Sequence, residues 1–258
     1  MNKHATAIVD SNCIIGKDVE IGPYCIVEKN CEIGDGTKIS SHCVIKANSV
    51  IGKNNFFYEN IVIGGDPQDT SFDPTDDTFV KIGDYNILRE FVTVHRSTNK
   101  AAPTYIKDKN YIMAYTHVGH DCLLGSNIII TNGVSLAGHV MIDDQVVIGG
   151  SALVHQHVRI GKLAMVAGGA PVSKDVIPFM LLGRNPAKHY SLNKVGLDRN
   201  KISKDSYRAL AEAYKQLKKT GNLDEIKEKS NEIEYLISWL SVKSKRGRSE
   251  EHTSELQS

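Results

Sequence analysis

The chain has 258 residues, 41% hydrophobic and 24% charged, with a formal net charge of +1. So even a balance gives no electrostatic reason to expect nucleic acid or a membrane surface as the main partner, and no run is long and apolar enough to span a bilayer. The length allows one large domain or two small ones.

The N-terminal stretch MNKHATAIVD lacks an apolar core of signal-peptide length, so the chain is expected in the cytoplasm. Five cysteines (Cys13, Cys25, Cys31, Cys43 and Cys122) form no C-x-x-C pair. They read as reduced, small core residues rather than as a disulfide framework or a zinc ribbon.

A period of six runs through the chain. Stepping from Val9 lands on Ile15, Ile21, Val27, Ile33, Ile39, Ile45, Ile51, Phe57 and Ile63. The phase breaks across GGDPQDTSFDPTDDT, resumes at Ile82, Leu88 and Val94, and breaks again across STNKAAP. From Ile106 it continues without a miss to Val172. Chance would give that last run with odds on the order of one in tens of thousands. An amphipathic helix needs a spacing of about 3.6 residues and a half-buried strand a spacing of about two, so a hexapeptide β-helix is predicted. By resemblance to left-handed parallel β-helices, three hexads make one coil, and residues eighteen apart stack about 4.8 Å from one another.

The stretch THVGHDC (116–122) places two histidines, an aspartate and a cysteine inside this ladder. Under the eighteen-residue rule His120 stacks on Gly138 and Gln156, and Asp121 on His139 and His157, giving one histidine-rich corner. That corner reads as a general base with its orienting acid, as a metal site, or as polar residues satisfied on a turn. A neutral imidazole is the usual group to take a proton from an attacking alcohol, and a neighbouring carboxylate can fix its tautomer. A glycine at 138 would let a substrate carbonyl reach backbone N–H, or would serve a coil corner needing an unusual backbone angle.

Beyond Pro186 the period changes. Ser203 is a candidate N-cap, and Tyr207, Leu210, Ala211, Tyr214 and Leu217 keep helical spacing until Gly221. Leu223, Ile226, Ile233, Leu236, Ile237 and Leu240 predict a second amphipathic helix. Lys204, Arg208, Lys215 and Lys219 lie near one face of the first, interrupted by Glu212; such a stripe suits an acidic partner or a solvated face.

The hexad prism, the outward loop GGDPQDTSF, the motifs VHRST, HVGHDC, LAGHV and GGSALVHQH, and a helical tail after GRNPA together resemble the UDP-N-acetylglucosamine acyltransferase family of lipid A synthesis. The resemblance covers roughly residues 5 to 247. It implies an all-β left-handed parallel β-helix followed by a small C-terminal α-helical domain, a homotrimer with active sites between subunits, and no metal or organic cofactor. It implies transfer of an R-3-hydroxyacyl group from acyl carrier protein to the 3-hydroxyl of UDP-N-acetylglucosamine. Some relatives of this kind acylate a 3-amino sugar nucleotide instead, and that alternative stays open.

By the same resemblance His120 is the base, Asp121 its partner and Gly138 the oxyanion donor. Gln68, Asp69, His117, His139, His155 and Gln156 would contact sugar, acyl or phosphate groups, and Asn193 and Arg199 the nucleotide. Gly168 stands where relatives end the acyl groove, and a glycine there favours a longer chain. Three positions depart from the family pattern: Ser71 replaces a lysine, Asn200 a second arginine, and His157 an aromatic residue. Two lost cations should loosen the hold on phosphate. The expected organisation is a β-helix over 1–186 with insertions near 64–79 and 96–103, and a helical domain over 187–247. The last stretch, RSEEHTSELQS (248–258), resembles a translated sequencing adapter and is expected to be disordered.

Overall fold

The computed structural model describes residues 2–224, 226, 228 and 230–249. Each hexad gives one short strand and a turn, and strands meet every third hexad. Glu20 pairs with Lys38, Lys38 with Phe56, Tyr111 with Ile129 and Ile129 with Val147, all in parallel. Three sheets of eleven, nine and eight strands therefore wrap one core, and the predicted parallel β-helix forms.

Two inner ladders explain the fold. The large aliphatics of the six-residue step, such as Ile33, Ile39 and Ile112, are at most 2% exposed. Four residues after each large aliphatic comes a smaller inner side chain that fits inside a corner, among them Cys25, Cys31, Thr37, Cys43, Asn55 and Cys122. The thiols are free, and they donate to carbonyls of the next coil: Cys25 Sγ to Ser40 O at 2.8 Å, Cys122 Sγ to Ala137 O at 3.2 Å. Where the inner residue is asparagine it ties coils together, the Asn86 N–H donating to Asn55 Oδ1 at 2.8 Å and the Asn110 N–H to Asn86 Oδ1 at 2.9 Å.

The outer corner residue takes a left-handed backbone. It is Tyr24, Phe91, Tyr115, Asp121, His139 or His157, with φ of 59°, 60°, 62°, 59°, 61° and 64°. A side chain in that region costs roughly 1–2 kcal/mol, and here the parallel ladder on both flanks imposes it. Glycine fills this place at Gly36, Gly133 and Gly169.

Both predicted breaks are outward loops between paired strands. Across them Phe56 pairs with Ile87, and Thr93 with His117. Arg96 clamps the first loop: its Nε meets Asp66 at 2.9 Å, its Nη atoms donate to Asp76 O at 2.7 Å and Pro74 O at 3.1 Å, and its guanidinium lies 4.9 Å over the Phe72 ring.

The end of the prism differs from the hexad reading. Strand Met180–Gly183 joins Met165–Val166 in parallel and then pairs antiparallel with Lys188–Leu192, a hairpin the six-residue step does not contain. Three helices follow: α1 (Lys194–Arg199), α2 (Lys204–Thr220) and α3 (Asn231–Ser241). Ser203 caps α2 and Gly221, at φ 78°, ends it, as predicted. Helix α3 begins later than the apolar spacing suggests, because the Ser230 side chain accepts from the Ile233 N–H and sets the cap there. Leu223 and Ile226 pack on the helical core from outside any helix. Among the described residues no helix is long and apolar enough to cross a membrane.

After α3 the chain returns to the prism. The Asp175 N–H donates to Gly247 O at 2.9 Å, and Arg248 forms a parallel bridge with Asp175. Arg248 and Ser249 of the suspected adapter stretch are therefore placed; residues 250–258 lie outside those described.

Candidate active site

Strands His117–Val118, Ser135–Leu136, Leu153–Val154 and Pro171–Val172 lie side by side in one sheet. They and the corners that follow them wall a cavity of about 720 Å³ whose lining includes Gln68, His95, His117, His120, Gly138 and Gln156. The stacking expected from sequence holds: the His139 N–H donates to His120 O at 2.9 Å, and the His157 N–H to Gly138 O at 3.1 Å.

His120 Nδ1 and Asp121 Oδ2 are 2.8 Å apart, with the two side chains 12% and 9% exposed. Asp121 also accepts the Thr98 hydroxyl at 2.8 Å and the Thr98 N–H at 3.2 Å. Burial pushes this carboxyl up, but the hydrogen bonds from His120 and Thr98 outweigh it and hold it below the usual carboxylate range. An ionised Asp121 fixes the proton on His120 Nδ1 and leaves Nε2 as an acceptor.

Gly138 lies in a corner turn but not at its left-handed position, which belongs to His139 after it. A Cβ at 138 would lie 2.4 Å from His120 Cε1 and 2.5 Å from Nε2. Glycine is there because the catalytic candidate's ring occupies the space. Among the described residues the Gly138 N–H meets no acceptor.

Beside this pair His139 Nε2 is 3.8 Å from Asp121 Oδ2, and the His139 ring stacks on His157 with centroids 4.5 Å apart. His120, Asp121 and His139 offer three donors within 4.8 Å, a spacing a metal ion could use. The Asp121 oxygens are already occupied by Thr98 and the His120 imidazole, so proton sharing accounts for the cluster without a cation.

His117 Nδ1 pairs with Thr93 Oγ1 at 2.8 Å, and burial lowers its basicity. Gln68, His155 and Gln156 line the same cavity. Asp69 accepts from the N–H and hydroxyl of Ser71, which hold it below the carboxylate range. Ser71 thus serves Asp69 as a neutral partner and supplies no cation. Cys122 is fully buried and its thiol is pushed up to about 12 by desolvation, which fits a structural residue and not a nucleophile.

Asp69, Asp121 and His139 are not on the cavity wall itself, and three further expected residues lie away from it. Gly168 is exposed on a different corner and Arg199 is exposed on the last turn of α1. Asn193 is buried as the α1 cap, its Oδ1 accepting from the Gly196 N–H at 3.0 Å and its Nδ2 donating to Leu163 O at 2.9 Å. Asn200 donates to Gly196 O and accepts from Gln145.

Sequence reasoning missed His95 and Thr98. His95 sits edge-on to His117 at 4.7 Å, its Nδ1 buried with no hydrogen-bond partner among the described residues, and desolvation lowers its pKa from 6.5 to about 4. Both residues belong to the VHRST motif, but the 96–103 insertion interrupts the eighteen-residue rule that would have stacked them on the corner.

The prism and its histidine corner define an acyltransferase of the hexapeptide-repeat class. A family model described as bacterial transferase hexapeptide (six repeats) matches residues 12–47, and one described as UDP N-acetylglucosamine O-acyltransferase, domain 2, matches residues 175–248. The acyl-[acyl-carrier-protein]–UDP-N-acetylglucosamine O-acyltransferase of Campylobacter concisus is 39% identical, covering 90% of this chain and 88% of its own. That of Syntrophobacter fumaroxidans is 40% identical over 96% of this chain and 99% of its own. The crystal structure of the Moraxella catarrhalis UDP-N-acetylglucosamine O-acyltransferase superposes with a TM-score of 0.91 at 39% identity, covering 96% of this chain and all of that one. The chain belongs to the UDP-N-acetylglucosamine O-acyltransferase family.

Proposed function

We propose that the protein transfers an R-3-hydroxyacyl group from acyl carrier protein to the 3-hydroxyl of UDP-N-acetylglucosamine, the first step of lipid A synthesis, with His120 as general base. The observation that carries this reading is the 2.8 Å bond from His120 Nδ1 to Asp121, with Nε2 beside Gly138 at the cavity wall. Nε2 takes the proton of the sugar hydroxyl as its oxygen attacks the thioester carbonyl carbon. The tetrahedral oxyanion sits at the Gly138 N–H; its collapse breaks the C–S bond, and the leaving thiolate receives the proton from His120. Asp121 stabilises the imidazolium between these two events.

In this reading His117, His139, His155, Gln156, Gln68 and Asp69 contact the sugar or acyl groups, while Gly168 borders the acyl groove and Asn193 and Arg199 serve the nucleotide from the far side. Gly168 and Arg199 are exposed away from the cavity, which fits a site completed by a neighbouring subunit in a cytoplasmic homotrimer. On the basic face of α2, Arg208 and Lys215 are partly neutralised by Asp205 and Glu212, so Lys204 and Lys219 are its stronger cations toward acyl carrier protein.

The test is acyl transfer by protein ending at residue 247, with R-3-hydroxyacyl carrier proteins of several lengths offered to UDP-N-acetylglucosamine and to its 3-amino analogue, beside His120→Ala. Turnover of the hydroxyl acceptor, reduced about 10²–10⁴-fold in the variant, is expected. Preference for the amine would assign an N-acyltransferase, and an unaffected variant would remove His120 from the chemistry.

A further inference from the structure

The segment after α3 brings Arg246 to the rim of the cavity, with Lys245 next to it in the chain. Arg246 Nε donates to Ser173 O at 3.1 Å, and Ser173 is a residue of the cavity wall. The Arg246 backbone N–H is held by Ser244 Oγ at 3.0 Å, and the next residue, Gly247, accepts the Asp175 N–H at 2.9 Å. Asp175 is itself fully buried and bound to Arg159 at 2.9 Å, so the segment is anchored to a rigid point. Lys245, between these tethers, is exposed. Burial lowers the basicity of His139 and His157, and the charge of Lys245 adds to this at both, that of Arg246 at His157.

Those cations answer a deficit. Ser71 and Asn200 stand where two positive charges are expected, and both are engaged with neutral or acidic neighbours. Burial lowers the basicity of His157, so it does not replace them. A phosphate ester is the group in this reaction's substrates that needs cations, and both the sugar nucleotide and the phosphopantetheine arm carry one.

We infer that Lys245 and Arg246 form a phosphate-ester subsite at the end of the cavity opposite His120, supplying from the C-terminal segment the charge missing at Ser71 and Asn200. This rests on the acyl-transfer reading of the cavity. Arg246 has Nη groups left for a bidentate contact once its Nε is tied to Ser173, whereas Lys245 acts as a point charge. Neither depends on Arg248, which falls in the adapter-like stretch.

The test uses protein ending at residue 247, with Lys245→Gln alone and Lys245→Gln/Arg246→Gln. In steady-state acyl transfer the double variant is expected to raise KM for one substrate about tenfold, with kcat falling less, and the single variant to show a smaller rise. A shift confined to UDP-N-acetylglucosamine assigns the diphosphate; one confined to acyl carrier protein assigns the phosphopantetheine. Unchanged KM for both would overturn the subsite. Binding of inorganic pyrophosphate by calorimetry separates the two readings: a wild type with no turnover but with pyrophosphate affinity that the variants lose would keep the subsite and discard the acyl-transfer reading. Lys245 makes no tether, so its single variant keeps the test valid if the double variant is poorly folded.

Discussion

At Gly138 the side chain is absent because His120 fills its place, with a Cβ position only 2.4 Å from the imidazole. Gly138→Ala should therefore displace the ring and not unfold the coil. Activity should drop about 10²–10³-fold, in line with loss of an aligned catalytic group, while the melting temperature changes by only a few degrees. Thermal unfolding and acyl-transfer assays on one preparation would check this, and full activity would mean that His120 has room elsewhere.

His95 gives a pH prediction. Its pKa is depressed in the folded state, from 6.5 to about 4, so between those values the unfolded chain binds more protons. The stability it contributes is complete above about pH 6.5 and lost as the pH falls toward 4. His95→Gln should flatten the fall in melting temperature across that window, measured by calorimetry in steps of pH. The sequence could not reveal this histidine's setting, because the insertion behind it breaks the stacking rule. The juxtaposition of His120, Asp121 and Gly138, which lie on uninterrupted coils, was legible.

The turn element shows how periodicity and residue type separate. Inner positions could be read from sequence because burial selects for size and polarity every six residues. Outer corners could not, since the ladder forces the left-handed angle on tyrosine, histidine or lysine alike. Lys109, exposed at φ 57°, bears this cost with no side-chain partner among the described residues. Lys109→Gly should stabilise by about 0.5–1 kcal/mol, less than the full strain because glycine loses more entropy on folding. Urea unfolding is the measurement, and a destabilised variant would mean that the angle is not strained. In the helical part, capping decided where the apolar pattern misled: Ser230 starts α3 well after Leu223. The Met180–Leu192 hairpin was hidden because antiparallel pairing obeys no hexad.

For the molecule as a whole, the outward row of one sheet is apolar where solvent would favour charge. Ile87 and Ile129 are 39% and 37% exposed and share neighbours through Tyr111. Burial of that row in the proposed trimer predicts that Ile87→Glu with Ile129→Glu lowers the mass seen by light scattering from three chains to one, and removes activity with it. A variant that remains three chains would place the contact on another face.

A parallel ladder has no natural last rung. Each coil offers the next one the same unsatisfied edge, and an uncovered end could recruit a second chain and grow into a filament. Here the antiparallel strand Lys188–Leu192 and the bond from the Asp175 N–H to Gly247 O occupy part of that final edge. The C-terminal segment thus acts as a chain terminator in the polymer sense, and shortening it past Gly247 should make the protein prone to end-to-end aggregation even with the catalytic corner untouched.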